Sequence, residues 1–192
     1  VAVDTALLTI ADGRLQVVLT NSDHDLRLPG TFLHRGEVLA DAVHRSLRDK
    51  VGVTDVDARQ LRVFDRLDRD ERGWVLSVAH VAAVRSERLP LGEGLRLRPV
   101  QEVGDLKYDH NEIVERAVEW VRLRYAAAAD PEHLLPEEFT LLELQQLHEI
   151  VSGVPQTKDG FRRRMVRNDL VVETERTTVG TIGKPARYFR RA

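Results

Sequence analysis

Apolar residues run almost unbroken over positions 2–10 and again over 15–20, with Asp12-Gly13 between them. Two short apolar runs joined by an Asp-Gly turn predict a hairpin. Residues 21–27 read as a polar loop. From about Val38 the spacing changes. Leu39, Ala42, Val43 and Leu47 recur at helical intervals, predicting a helix to Lys50 that Gly52 ends. Residues 61–67 and 74–84 predict a second hairpin across the charged turn 68–73, with 75–83 apolar enough for a central strand. Residues 89–99 hold two Gly and two Pro and read as irregular; residues 102–106 read as a short strand. Over 111–125, Ile113, Ala117, Trp120 and Arg124 form one helical row and Val114, Val118, Val121 and Tyr125 another.

A run of alanines followed by Asp130-Pro131 and then Leu134-Leu135-Pro136 marks a boundary. It divides the chain into a first domain over 1–126, a linker over 127–136 and a second domain over 137–192. Thr140 and Glu143 have capping-box spacing at the head of a helix. A turn with Gly153 and Pro155 follows, then a second helix over about 157–168, and short strands over 171–175 and 186–190 flanking a Gly-rich stretch. Helix, tight turn, basic helix and hairpin is the order of a winged helix-turn-helix, whose second helix enters the major groove.

Charge sharpens this division. The 192 residues carry a net charge of −2, yet residues 155–192 hold ten basic and four acidic side chains, a net +6, which leaves −8 for the remainder. Such asymmetry points to a polyanion-binding module appended to an acidic domain. Phe161, Met165 and Leu170 suit the inner face of the second helix. Thr157, Lys158, Arg162, Arg163, Arg164 and Arg167 remain for phosphates or bases, with Lys184 and Arg187 flanking the wing. A single winged helix supplies few base contacts, so a homodimer on a two-fold operator in double-stranded DNA is expected. No apolar run approaches the ~20 residues of a membrane span. The first residues lack the basic segment and cleavage site of a secretory signal, and cysteine is absent. A cytoplasmic protein without disulfides or thiolate metal sites is expected. The histidines at 24, 34, 44, 80, 133 and 148 show no metal-ligand spacing. Asp109-His110, ahead of the long helix, could be a catalytic base with an orienting acid, but better suits a helix cap with a structural His or a ligand contact. Arg69 and Arg72, on a charged hairpin turn, read as solvated or as part of a dimer contact.

The stretch LPGTFLHRGEVLADAVHRSLRDKVGV, residues 28–53, resembles a worn Nudix box. Aligned on Gly52-Val53, it keeps Glu37 and Arg45. Thr31 stands at the first glycine, and Ser46, Asp49 and Lys50 stand where three acids belong. Those three positions share a helix face at i, i+3 and i+4. In an intact box that face holds divalent metals; here it offers a hydroxyl, one carboxylate and an ammonium. The expectation is a diphosphate-binding fold without metal, cofactor or catalytic residues. Candidate ligand contacts are Arg35, Glu37, Arg45, Asp49, Lys50, Lys107 and His110, with Glu37 and Arg45 also bracing the loop as the resemblance implies. Thr31, by adding a β-carbon, is expected to narrow the approach of a ligand to the backbone.

The worn box, followed by DRLDRDERGWVLSVAHVAAV, LKYDHNEIVERAVEWVRLR, FTLLELQQLHEIV, DGFRRRMV and GKPARYFR, resembles the Nudix-related transcriptional regulators of the NrtR family over nearly the whole chain. The resemblance implies an α+β chain, with a Nudix-type α/β/α sandwich on a mixed sheet followed by a winged helix-turn-helix. It also implies a homodimeric repressor of NAD biosynthesis or salvage genes, with ADP-ribose or a related NAD-derived nucleotide as effector. Effector binding would shift the two winged helices against the operator half-sites. The alternatives are an active Nudix pyrophosphatase of the ADP-ribose class, using Glu37 and Asp49, and a sugar-responsive regulator of the same architecture.

Overall fold

The computed structural model describes residues 1–22, 25–90, 92, 94–178 and 185–192. They form two compact units, Val1–Trp120 and Val121–Ala192.

The first unit is built on strand β1 (Ala2–Ala11), whose residues 2–9 are all buried. A near-continuous apolar run suits a strand covered on both faces. β1 pairs antiparallel with β2 (Arg14–Ser22) and β4 (Gly30–Phe32), and parallel with β6 (Ser77–Ala83). With β3 (Asp25–Arg27), β5 (Arg59–Phe64) and β7 (Leu95–Pro99) this makes a mixed seven-stranded sheet, ordered β3-β2-β1-β6-β5, with β4 and β7 pairing off β1 and β2. Helix α1 (Leu39–Val51) packs Ala42, Val43, Leu47 and Val51 into one cluster with Val3 and Leu7 of β1. Side chains alternate along a strand, so Asp4 faces the other way. There it meets His110, the first residue of α2 (His110–Ala127). The sheet therefore lies between two helices. Gly52 ends α1 in the left-handed conformation, φ 80°, which glycine adopts without steric cost.

Three expectations change. Residues 21–27 are not a plain loop, because β3 folds back onto β2. Residues 95–99 form β7, with Leu95 and Leu97 packed on the α1 cluster. Residues 102–106 are not a strand. Gly104 takes φ 71°, and the Asn111 side chain holds the turn by accepting from the Leu106 amide and donating to the Gly104 carbonyl.

Within the second unit, β8 (Phe139–Thr140), β10 (Arg187–Arg191) and β9 (Val171–Thr177) form a three-stranded sheet in that order. Helix α3 (Leu141–Ser152) opens with the foreseen capping box. The Thr140 amide donates to Glu143 at 2.7 Å and the Glu143 amide donates to Thr140 Oγ1 at 3.2 Å. Gly153 closes it at φ 74°, and α4 (Lys158–Arg167) follows. Phe139, Leu144, Phe161, Met165, Val171 and Phe189 form the core. Residues 129–135, read as part of a linker, are packed into this unit. Ala129 belongs to its core, and the buried Asp130 accepts hydrogen bonds from Tyr125, Leu134, Leu135 and Arg191. Among the described residues no helix is long and apolar enough to cross a membrane.

Candidate functional site

The loop before α1 is held by one guanidinium. Arg45 donates to Glu37 through Nε at 2.7 Å and Nη2 at 2.8 Å, to the Phe32 carbonyl at 2.9 Å and to Thr31 Oγ1 at 3.1 Å. Glu37 also accepts from the His34 amide. Arg45 first, and that amide next, hold its carboxyl down at about 2. Thr31 thus joins the brace. It sits in a strand without positive φ, so the backbone there does not require glycine. The glycine that matters is its neighbour: a β-carbon on Gly30 would lie 2.0 Å from Asp4 Oδ1 and 2.8 Å from the Val3 carbonyl. Gly30→Ala is expected to displace the Asp4 carboxylate and prise β4 from β1. Thermal unfolding should show a lower melting temperature; an unchanged one would contradict this close approach.

Lys50 projects from the end of α1 and donates to the Gly30 carbonyl. Burial, and then the nearby Arg27 charge, push its ammonium below its ordinary pKa. It lines a cavity of about 180 Å³ together with Arg27, Leu28, Thr31, Arg72 and His110. A second cavity of about 300 Å³ shares Arg69 and Tyr108 with the first and reaches Lys107, which pairs with Asp25 and Glu71. The structure thus places Lys50 and His110 on one cavity and Lys107 on its neighbour. Arg35 and Asp49 are exposed and line neither; Asp49 is engaged by Arg48 at 2.8 Å. Glu37 and Arg45 shape the loop.

Beneath the cavity lies a buried charge network whose central cation was not foreseen. Arg69 grips Asp109 with two bonds at 3.0 and 2.8 Å and reaches Asp4 at 3.2 Å. Its side chain is 2% exposed, so it is not a solvated turn residue. His110 Nδ1 accepts from the Leu28 amide, which leaves the proton on Nε2, 3.4 Å from Asp4. Burial pushes the Asp4 carboxyl up, but His110, Ser77 and Arg69 together outweigh it and bring it to about 2. Above this network the Arg72 guanidinium, fixed by Asp70, lies over the rings of Phe32 and Tyr108. Tyr108 itself holds φ 62°, a strained conformation of a kind that clusters at ligand sites.

The positions of the worn box do not fit a hard divalent cation, which demands several convergent oxygens. Ser46 is buried with no partner for its hydroxyl among the described residues, Asp49 turns to Arg48, and the third position is an ammonium.

On α4, Lys158, Arg162, Arg163 and Arg167 are exposed, as is Thr157, its N-cap. Arg164 departs from its expected place among them. Three residues beyond Phe161, it turns inward, lies over that ring and donates to His148 Nδ1 at 3.3 Å. His148 in turn donates through Nε2 to the Ala129 carbonyl, and burial first holds it below its ordinary pKa. Arg187 is exposed but paired with Glu173, while Lys184 lies outside the described residues.

A mixed sheet between two helices, with a braced loop–helix and a charged cavity, defines a Nudix-type ligand-binding fold. Its companion is a DNA-binding winged helix; residues 131–191 match the NrtR DNA-binding winged helix domain. The chain is 31% identical to the ADPR responsive transcriptional repressor NtrR of Acinetobacter baylyi, over 98% of this chain and 80% of that protein. Shewanella oneidensis NrtR in complex with a 27mer DNA superposes over 100% of this chain and 93% of its own, with a TM-score of 0.84 and 29% identity. Its Nudix domain, complexed with ADP ribose, matches over 62% of this chain and 86% of that one, with a TM-score of 0.55 and 27% identity. An ADP-ribose pyrophosphatase of Methanocaldococcus jannaschii is 28% identical over 48% of this chain and 57% of that enzyme. The chain belongs to the NrtR family.

Proposed function

We propose that this protein is a cytoplasmic, homodimeric transcriptional repressor of NAD biosynthesis or salvage genes. Its first domain, over 1–126, senses ADP-ribose or a related nucleotide without hydrolysing it. Its winged helix, over 137–192, binds operator DNA. The whole-chain likeness to a DNA-bound relative carries this reading, because it spans both the cavity and the exposed arginines of α4. The ligand contacts are Lys50, His110 and Lys107, while Glu37 and Arg45 hold the loop that frames them. The DNA contacts are Thr157, Lys158, Arg162, Arg163 and Arg167, with Arg187 on β10 and, from the sequence alone, Lys184. The absence of hydrolysis suits a sensor, since a repressor that cleaved its signal would erase it.

The test is an operator-binding titration with promoter fragments of NAD genes, repeated with added ADP-ribose and NAD. Binding should weaken steeply with salt, because several arginines displace counterions. Arg162→Ala, Arg163→Ala and Arg167→Ala should each weaken binding and flatten the salt slope by roughly one. Arg164→Ala should instead lower the melting temperature, since it removes the donor to His148 Nδ1 and the cation over the Phe161 ring. Three exposed-site variants that bound like wild type would place the DNA surface elsewhere.

The kinship with a pyrophosphatase supports a second reading, hydrolysis of ADP-ribose with Mg²⁺. Against it, Glu37 is consumed by Arg45 and Asp49 by Arg48. Turnover at an ordinary enzyme rate would decide for that reading.

A further inference from the structure

We propose that Lys50 takes the place of the divalent cation of this fold: its ammonium is the fixed counter-charge for the effector's diphosphate, which binds without metal. This rests on the nucleotide-sensing reading above and states how the most charged part of that ligand is held.

Lys50 differs from Arg69 and Arg72, which line the same cavity, in having no carboxylate partner among the described residues. Around the cavity, Arg69 is matched by Asp109 and Asp4, and Arg72 by Asp70. Lys50 has a backbone carbonyl as its acceptor and no carboxylate within 4.0 Å among the described residues. An ammonium carries three donors, so two remain for a partner on the cavity side. The lining as a whole carries four cations, Arg27, Lys50, Arg69 and Arg72, against the two carboxylates of Asp4 and Asp70, so its excess charge favours an anion. An excess of two positive charges suits a diphosphate better than a single carboxylate.

The same geometry excludes a metal. A cation entering between Ser46 and Asp49 would lie beside the ammonium, which repels it. Ser46 adds no charge, and Asp49 points to Arg48. Where an intact box recruits a mobile ion to neutralise phosphate, this chain carries the charge covalently.

The test is calorimetric titration of the full chain with ADP-ribose in EDTA and in millimolar Mg²⁺. Wild type should bind equally in both. Lys50→Gln should bind roughly 10- to 100-fold more weakly, the loss of one charge-assisted hydrogen bond, and Lys50→Arg should retain most of the affinity. Lys50→Glu should bind more weakly still, with or without Mg²⁺, because Ser46 and Asp49 offer a metal no convergent oxygens. Thermal melts establish that each variant is folded. A requirement for Mg²⁺ in wild type, or wild-type affinity in Lys50→Gln, overturns the proposal. If wild type binds no ADP-ribose in either buffer, the nucleotide reading fails. The titration with inorganic pyrophosphate in EDTA then decides for Lys50: binding that Lys50→Gln abolishes supports its role, and binding that Lys50→Gln leaves intact, or none at all, removes it.

Discussion

Arg69→Met is expected to destabilise the first unit by roughly 3–5 kcal/mol, the usual loss when one partner of a buried ion pair is removed. The native arrangement offsets its desolvation by geometry: a two-pronged grip on Asp109, a third bond to Asp4, and Ser77 donating to Asp4 at 2.6 Å. Methionine fills the space but leaves two carboxylates facing each other. Arg69→Lys should fall between, since an ammonium keeps the charge but cannot reproduce the fork. The acid response should move as well. Asp4 sits at about 2 rather than the ordinary 3.8, so its contribution is present above that ordinary value and is lost as pH falls through about 2. Without Arg69 its pKa rises, and the loss should begin at higher pH. Urea titration followed by tryptophan fluorescence isolates this unit, because both tryptophans, Trp74 and Trp120, lie in it. A midpoint equal to wild type would sink the idea.

The sequence announced some of this and hid the rest, for physical reasons. The unbroken apolar run of β1, the spacing of Leu39 to Leu47 with Gly52 behind it, and the Thr140–Glu143 box are local signals, and local structure followed them. Strand β7 was visible as the alternation of Leu95 and Leu97 with Arg96 and Arg98, but the glycines and prolines around it read as a loop. Arg69 had no local signal at all. It stands in a charged turn that looks solvated, and its partners are 65 and 40 residues away. Arg164 is the converse case. Its neighbours in the arginine run are exposed, and only the i+3 step from Phe161 hints that it turns inward. The brace at Glu37 and Arg45 was readable because the box is a fixed pattern; that Thr31 would join it was not, since no pattern includes a threonine there.

Asp130→Ala is the second large effect expected, again roughly 3–5 kcal/mol, now confined to the winged-helix unit. The side chain is fully buried and accepts from Tyr125 at 2.6 Å, from the amides of Leu134 and Leu135 at 3.0 and 2.9 Å, and from Arg191. Arg191 closes the far end of β10 and lies over Phe139 of the core. One carboxylate therefore joins the stretch before α3 to the last strand of the sheet. Alanine leaves a phenol and two amides without their acceptor at once, and leaves the Arg191 guanidinium only the backbone carbonyls of Asp130 and Leu135. Burial and the neighbouring Asp130 hold the Tyr125 hydroxyl above its ordinary pKa, so it stays a donor at any working pH and does not relax by ionising. Asp130→Asn keeps one acceptor oxygen but turns an amide donor toward other donors, so it should recover only part of the loss. The expected signature is loss of operator binding and of an unfolding transition seen by circular dichroism, with the tryptophan transition unmoved. Arg162→Ala should give the opposite pattern, weak DNA binding with both transitions intact. That contrast separates a residue that touches DNA from one that merely keeps the DNA-binding unit folded. If Asp130→Ala shifted the tryptophan transition by as much as the other, the two units would unfold together and the effect would not be confined to one.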